Sequence, residues 1–299
     1  MEITLLKVEH ERRENAQLLL PYIQSCTLFG EERACQSVED AISHEDTWNT
    51  LTLTIPNRTR LKLLIEALKR ECPDTNSIWE FDEYLMGCLW RAQRKVLSIE
   101  RFDLPQSQQL RRIAQGFTYL SSITFEALNT GGNFAKLTAD SRACFAQLLS
   151  LTTKRDQHIA GNIEGIEHLI QERFPLEDPD LLRYTIFLGN IHSPELYTER
   201  GIRVVELHNE DEKHTALKSA HVRLFRRICE APSLLGDLTT EIIRHMIIDL
   251  MRGERFDNNI LMQVSSYLQT LRLGEIETLV KRASPERPLV NILYEEVRV

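Results

Sequence analysis

The 299-residue chain contains no apolar run near the ~18 residues of a membrane span, so no transmembrane helix is expected. It has no Cys-x-x-Cys pair. Its six cysteines, Cys26, Cys35, Cys72, Cys88, Cys144 and Cys229, are scattered and read as buried free thiols in a reducing compartment rather than as a zinc site. Basic charge is not in excess. With 36 Lys and Arg against 44 Asp and Glu, the net charge of −8 argues against nucleic acid and anionic membranes as main partners. There is no Gly-x-x-x-x-Gly-Lys-Ser/Thr cradle for a nucleotide phosphate and no Gly-x-Ser-x-Gly elbow for a serine nucleophile. No cysteine has a basic neighbour in an obvious turn, so a cysteine nucleophile is unsupported. Internal repeats and low-complexity segments are missing too. Met1–Glu14 is too charged for a secretory leader, and the expected location is cytoplasmic.

What is present is ordinary globular composition and an alternation of strand and helix patterns. The reading is an α/β fold, with a mostly parallel central sheet flanked by helices and a helical C-terminal subdomain. The expected boundaries are a helical arm at 1–24, an α/β core at 25–212 and the helical subdomain at 213–299. Met1–Val8 reads as a short strand or an arm, and Glu11–Ile23 as a helix ended or bent by Pro21. The first core strand falls either at 27–33 or at 50–55, where Thr50–Ile55 alternates with period two. Strands are expected at 77–82, 95–100, 184–189 and 202–207. Helices are expected at 83–94, 107–128 and 138–150, the last two split by Asn129–Asn133, which reads as a mobile loop over a site. Beyond 207 the texture turns helical. Ile242, Ile243, Met246, Ile247 and Leu250 make one broad apolar face. Leu289–Tyr294 reads as a last strand or an arm that pairs with a partner.

The stretch 151–208 carries the most chemistry. Ile159, Ile163, Ile166, Leu169 and Ile170 recur at helical spacing, while Arg155, His158 and Asn162 share another face of the same helix. Gly161 and Gly165 in that helix are expected to let another backbone approach. Tyr184–Leu188 is a near-continuous apolar run, the pattern of a parallel strand buried on both sides. His192 follows that strand at its carboxyl end, where α/β sheets bind ligands. Glu80 ends the 77–82 pattern, or caps the helix after it. Asp103 ends the 95–100 segment, or caps the helix from Gln106.

The motif Arg155-Asp156-Gln157 with Asn162-Ile163, then the apolar strand, Gly189, His192-Ser193-Pro194 and Gly201 with Val204 and Leu207, resembles the C-terminal core of the Tiki / erythromycin-esterase / haem-uptake superfamily. Some bacterial toxin domains share it. The resemblance implies that Arg155 and His192 face an active site, with Asn162 as a helper. It matches Glu80 to the family's second-motif acid and Asp103 to a later strand-end acid. It also matches Leu28-Phe29-Gly30-Glu31 to the first motif, but Arg33 stands where the family has its histidine. Arginine can act neither as a base nor as a metal ligand near neutral pH. The candidate site is therefore His192, Arg155, Glu80, Asp103 and Glu31. In it, Glu80 would orient His192 and Arg155 would stabilise an oxyanion. No cofactor or metal is assigned. Two functions stand. One is a hydrolase-like domain. The other is a degenerate relative, an interaction or effector protein delivered to a host cytosol, that binds a protein partner through its C-terminal helices.

Overall fold

The computed structural model describes residues 1–8, 13–30, 42–43, 45–50, 59, 62, 66, 76–189, 192, 195–207, 224–225, 227–228, 231–254 and 256–298. They divide into two compact units. The first comprises Met1–Gln109 with Thr153–Asn209, and the second Leu110–Thr152 with Glu210–Val299.

The first unit holds a five-stranded, wholly parallel sheet in the order β3-β2-β4-β1-β5. Its strands are β1 (Glu2–Lys7), β2 (Leu28–Gly30), β3 (Lys95–Val96), β4 (Arg183–Leu188) and β5 (Arg203–Glu206). The α/β expectation holds, and the N-terminal segment is no arm, because β1 lies between β4 and β5. Its apolar run pairs residue for residue with β4, from Glu2 opposite Arg183 to Lys7 opposite Leu188.

Strand alternation sorts the core into two layers. On one face Leu6, Val8, Phe29, Val96 and Phe187 pack with Ile23, Phe81, Leu85 and Leu89. These come from α2 (Leu20–Ser25) and α3 (Asn76–Ala92), with α1 (Arg13–Gln17) adding Ala16. On the other face Leu5, Leu28, Tyr184, Ile186 and Leu188 pack with Ile159, Ala160, Ile163, Ile166 and Ile170. That second layer belongs to α5 (Phe134–Glu164) and α6 (Ile166–Arg173). Gly165 marks the break between these two helices, and a side chain at Gly161 would meet open space, so neither glycine serves a close helix contact.

Other expectations are corrected. Residues 77–82 are helical, part of α3. Phe81, near the end of that segment, is buried with Leu85, Cys88 and Leu89 at helical spacing. Among the described residues the 95–100 strand forms a ladder only over Lys95–Val96, where it pairs with the three-residue β2. Residues 28–30 of the first alternative are the strand. Of the second, Thr50 is helical and positions 51–55 lie outside the described residues.

Edge strand β3 is sealed by side chains from the helical segment 45–50. Asn49 Oδ1 accepts from Val96 N at 2.9 Å and Asn49 Nδ2 donates to Val96 O at 3.1 Å. One turn earlier, Glu45 accepts from Ser98 N at 2.7 Å.

The second unit is helical among the described residues. The inner parts of α4 (Leu104–Thr130) and α5 pack with α8 (Thr239–Gly253), α9 (Asn258–Thr270), α10 (Leu273–Lys281) and α11 (Leu289–Arg298) around a separate core. Ile242, Ile243, Met246 and Ile247 are buried inside it, so that face is not an open docking surface. Leu289–Tyr294 is helical, not a strand. Leu289, Val290, Ile292 and Leu293 bury one helical stripe. Residues 129–133 are not a loose loop over a site: Asn129 and Thr130 end α4, and 131–133 make the short turn to α5. Gly131 has φ +81°, and a Cβ there would sit 2.2 Å from Ala283 O.

Candidate functional site

All five strands run parallel, so their carboxyl ends share one edge. His192 sits just past the end of β4, with its backbone N–H donating to Gly189 O at 3.3 Å. Its side chain is fully buried, and Nδ1 lies 2.5 Å from Asp156 Oδ1. Asp156 comes from α5, and the Tyr197 hydroxyl, from α7 (Glu195–Thr198), donates to the same oxygen at 3.0 Å. Helix α5 therefore crosses the sheet with its 156 region over the carboxyl end of β4.

The acid beside the histidine is Asp156. Glu80 lies on α3, and its side chain is outside the described residues, as are Glu31 and Arg33. Asp103 is the N-cap of α4. Its Oδ1 accepts from Gln106 N at 2.8 Å while Gln106 Oε1 accepts from Asp103 N at 3.0 Å, a reciprocal capping box.

Arg155 points about a quarter-turn away from Asp156 and grips Glu100, with Nε at 2.9 Å and Nη2 at 2.7 Å from Oε1. Glu100 is fully buried, so losing Arg155 would remove a guanidinium from a buried charge, at a cost of up to about 3–5 kcal/mol. Two turns on, Asn162 Nδ2 donates to Ile99 O at 2.8 Å and to Arg101 O at 3.1 Å. His158, between them, sets its ring 5.7 Å from Phe102. Burial holds its imidazole below the ordinary histidine value, opposed by Asp103 and aided by Lys154. The polar face of α5 that the spacing revealed is real, and it holds the 99–102 segment.

The opposite side of that segment meets Glu45, which pairs with Arg101 and stands 3.4 Å from Arg173. Burial pushes the Glu45 carboxyl above its usual range, against the pull of Arg101, Ser98 N–H and Arg173. The tail of β3 is thus held from two sides, and Glu100 is fixed at the sheet's carboxyl edge.

Lys7 is a further charged group at this edge. It ends β1 fully buried, with Nζ 3.6 Å from Glu206 Oε1 on β5. Alternation puts Lys7 on the face of Leu5, the face that α5 covers. Among the described residues no three His, Cys, Asp or Glu side chains gather as a metal site.

No protein-family model, curated protein or solved structure matches the chain. The geometry alone therefore carries the chemistry. A buried carboxylate against Nδ1 fixes an imidazole's orientation and lets its other nitrogen exchange a proton.

Sequence reasoning missed Asp156, Tyr197, Glu100 and Lys7. Two of these left a signal. Asp156 is a carboxylate on the apolar stripe that continues through Ile159, Ala160 and Ile163, and Lys7 interrupts the apolar run Leu5–Val8. Charges in such places are almost always paired.

Proposed function

We propose that the sheet-bearing unit is a hydrolase-like α/β domain whose acid–base group is the Asp156–His192 dyad. The observation that carries this is the 2.5 Å contact between Asp156 Oδ1 and His192 Nδ1, at the sheet edge where such folds bind ligands. Asp156 orients the imidazole. His192 takes a proton from an attacking water and returns it to the leaving group. Lys7, on the same face at the end of the neighbouring strand, supplies positive charge for a developing oxyanion. Arg155 is a structural clamp on Glu100 rather than the oxyanion group. The likeness to the Tiki and erythromycin-esterase families supports the same reaction class.

A second reading has one observation in its favour. The His192 side chain is wholly buried, as in a domain that keeps the fold and uses it for binding, and Arg33 in place of the first-motif histidine agrees with this. The partner surface expected on the 242–250 face is buried within the second unit, which weakens that reading.

The two separate in a turnover assay of the purified full chain against aryl esters, lactones, anilides and phosphate esters. The hydrolase reading requires turnover of at least one class, lowered about 10²–10⁴-fold in His192→Ala and Asp156→Asn. Turnover of none by the wild-type chain supports the binding reading. Among the described residues no helix is long and apolar enough to cross a membrane.

A further inference from the structure

Asp156 Oδ1 meets two groups at once, Nδ1 of His192 at 2.5 Å and the hydroxyl of Tyr197 at 3.0 Å. An ionised carboxylate only accepts hydrogen bonds, so both neighbours must donate. In a neutral imidazole this places the proton on Nδ1 and leaves Nε2 as the basic nitrogen. Tyr197 is itself fully buried. Its carbonyl accepts from Arg200 N and Ile202 N, both at 3.1 Å, in the turn that leads into β5. Gly201, at φ +74°, makes that turn possible. The phenol therefore stands on a fixed base, eight residues beyond Gly189, and meets Asp156 on a helix 41 residues earlier in the chain.

We propose that Tyr197 is a positioning residue: by donating to Asp156 Oδ1, it holds that oxygen against His192 Nδ1 and locks the neutral imidazole in its Nδ1–H tautomer. The catalytic meaning of the lock rests on the hydrolase reading, whereas the tautomer does not. Without the phenol, Asp156 Oδ1 loses one of the two donors that align it, and its hold on Nδ1 loosens. The imidazole then samples the Nε2–H form, which has no basic nitrogen facing away from Asp156.

The test is long-range ¹H–¹⁵N correlation spectroscopy of the full chain labelled in its histidine rings, at about pH 8, where an ordinary imidazole is neutral. It compares wild type, Tyr197→Phe and Asp156→Asn. The expected result is a wild-type His192 in the Nδ1–H form. The Nδ1–H to Nε2–H ratio should fall about fivefold in Tyr197→Phe, the weight of one ordinary hydrogen bond, and further in Asp156→Asn. Where a substrate is turned over, Tyr197→Phe lowers kcat and leaves KM in place. A wild-type His192 in the Nε2–H form overturns the proposal, as does an unchanged ratio in Tyr197→Phe. The two ideas fail separately. Tautomer changes as stated with no turnover of any substrate sink the hydrolase reading and keep the lock. Turnover that depends on His192, with ratio and kcat unmoved in Tyr197→Phe, does the reverse.

Discussion

Substituting Gly30 by alanine probes the packing that aligns three neighbouring strands. A Cβ at Gly30 would stand 2.5 Å from the Tyr184 hydroxyl oxygen, 2.9 Å from its Cζ and 3.1 Å from Ile186 Cγ1. Tyr184 has no room to retreat. It is fully buried, and its hydroxyl crosses β2 to donate to Leu97 O at 3.0 Å. Inserting the methyl forces the ring aside, an overpacking cost of about 1–3 kcal/mol. It also breaks the buried hydrogen bond from Tyr184 to Leu97 O, about 1–3 kcal/mol more. The two effects overlap, so the expected loss is about 3 kcal/mol, a large share of the ~5–15 kcal/mol that stabilises most proteins. Urea unfolding followed by far-ultraviolet circular dichroism measures it. A double-mutant cycle with Tyr184→Phe isolates the cause, because phenylalanine removes the oxygen that the methyl strikes. In that background Gly30→Ala should cost about 1–2 kcal/mol less than in wild type. A Gly30→Ala protein within about 0.5 kcal/mol of wild type would refute the packing argument.

Asp103→Ala should lose about 1 kcal/mol of stability through its cap and leave any hydrolysis unchanged, checked by unfolding and by turnover in parallel. Asn49→Ala should lose about 1–3 kcal/mol by stripping Val96 of both its edge partners, with increased amide exchange at Val96 as the local sign. Burial pushes the thiols of Cys26 and Cys144 from the ordinary 9.0 up to about 11. A raised thiol contributes stability that is whole below the unfolded value and lost as pH climbs through the folded one. Stability should therefore fall between about pH 9 and 11, and Cys26→Ala with Cys144→Ala should flatten that fall. Native-state alkylation at pH 8 should spare both cysteines, and rapid labelling of either would contradict their burial.

The parts of the fold that could be read in the sequence were those with enough length to show a period. The β4 run is continuous, the stripe from Ile159 to Ile170 repeats several times across α5 and α6, and their order put His192 past the end of β4. Short elements deceived. Six residues of α3 looked like a strand because alternation and helical spacing coincide over so small a window, and the buried stripe that decides for a helix, Phe81, Leu85, Cys88 and Leu89, lies mostly beyond it. The last helix was hidden by its β-branched and aliphatic content, which tertiary burial overrides. In the site, spacing identified the shared face of Arg155, His158 and Asn162 but not what it faces. Its partners, Glu100, Phe102 and the carbonyls of Ile99 and Arg101, lie more than fifty residues away in sequence. Asp156 and Arg155 are adjacent, and only the helix's rotation about its axis decides which of the two meets His192.

The central claim is that the Asp156–His192 contact does acid–base work. The direct measurement is kcat/KM of the full wild-type chain and of His192→Gln on one substrate that the wild type hydrolyses, with circular dichroism confirming equal folding. The account predicts a loss of about 10²–10⁴-fold for His192→Gln. Equal rates in the two proteins would contradict it.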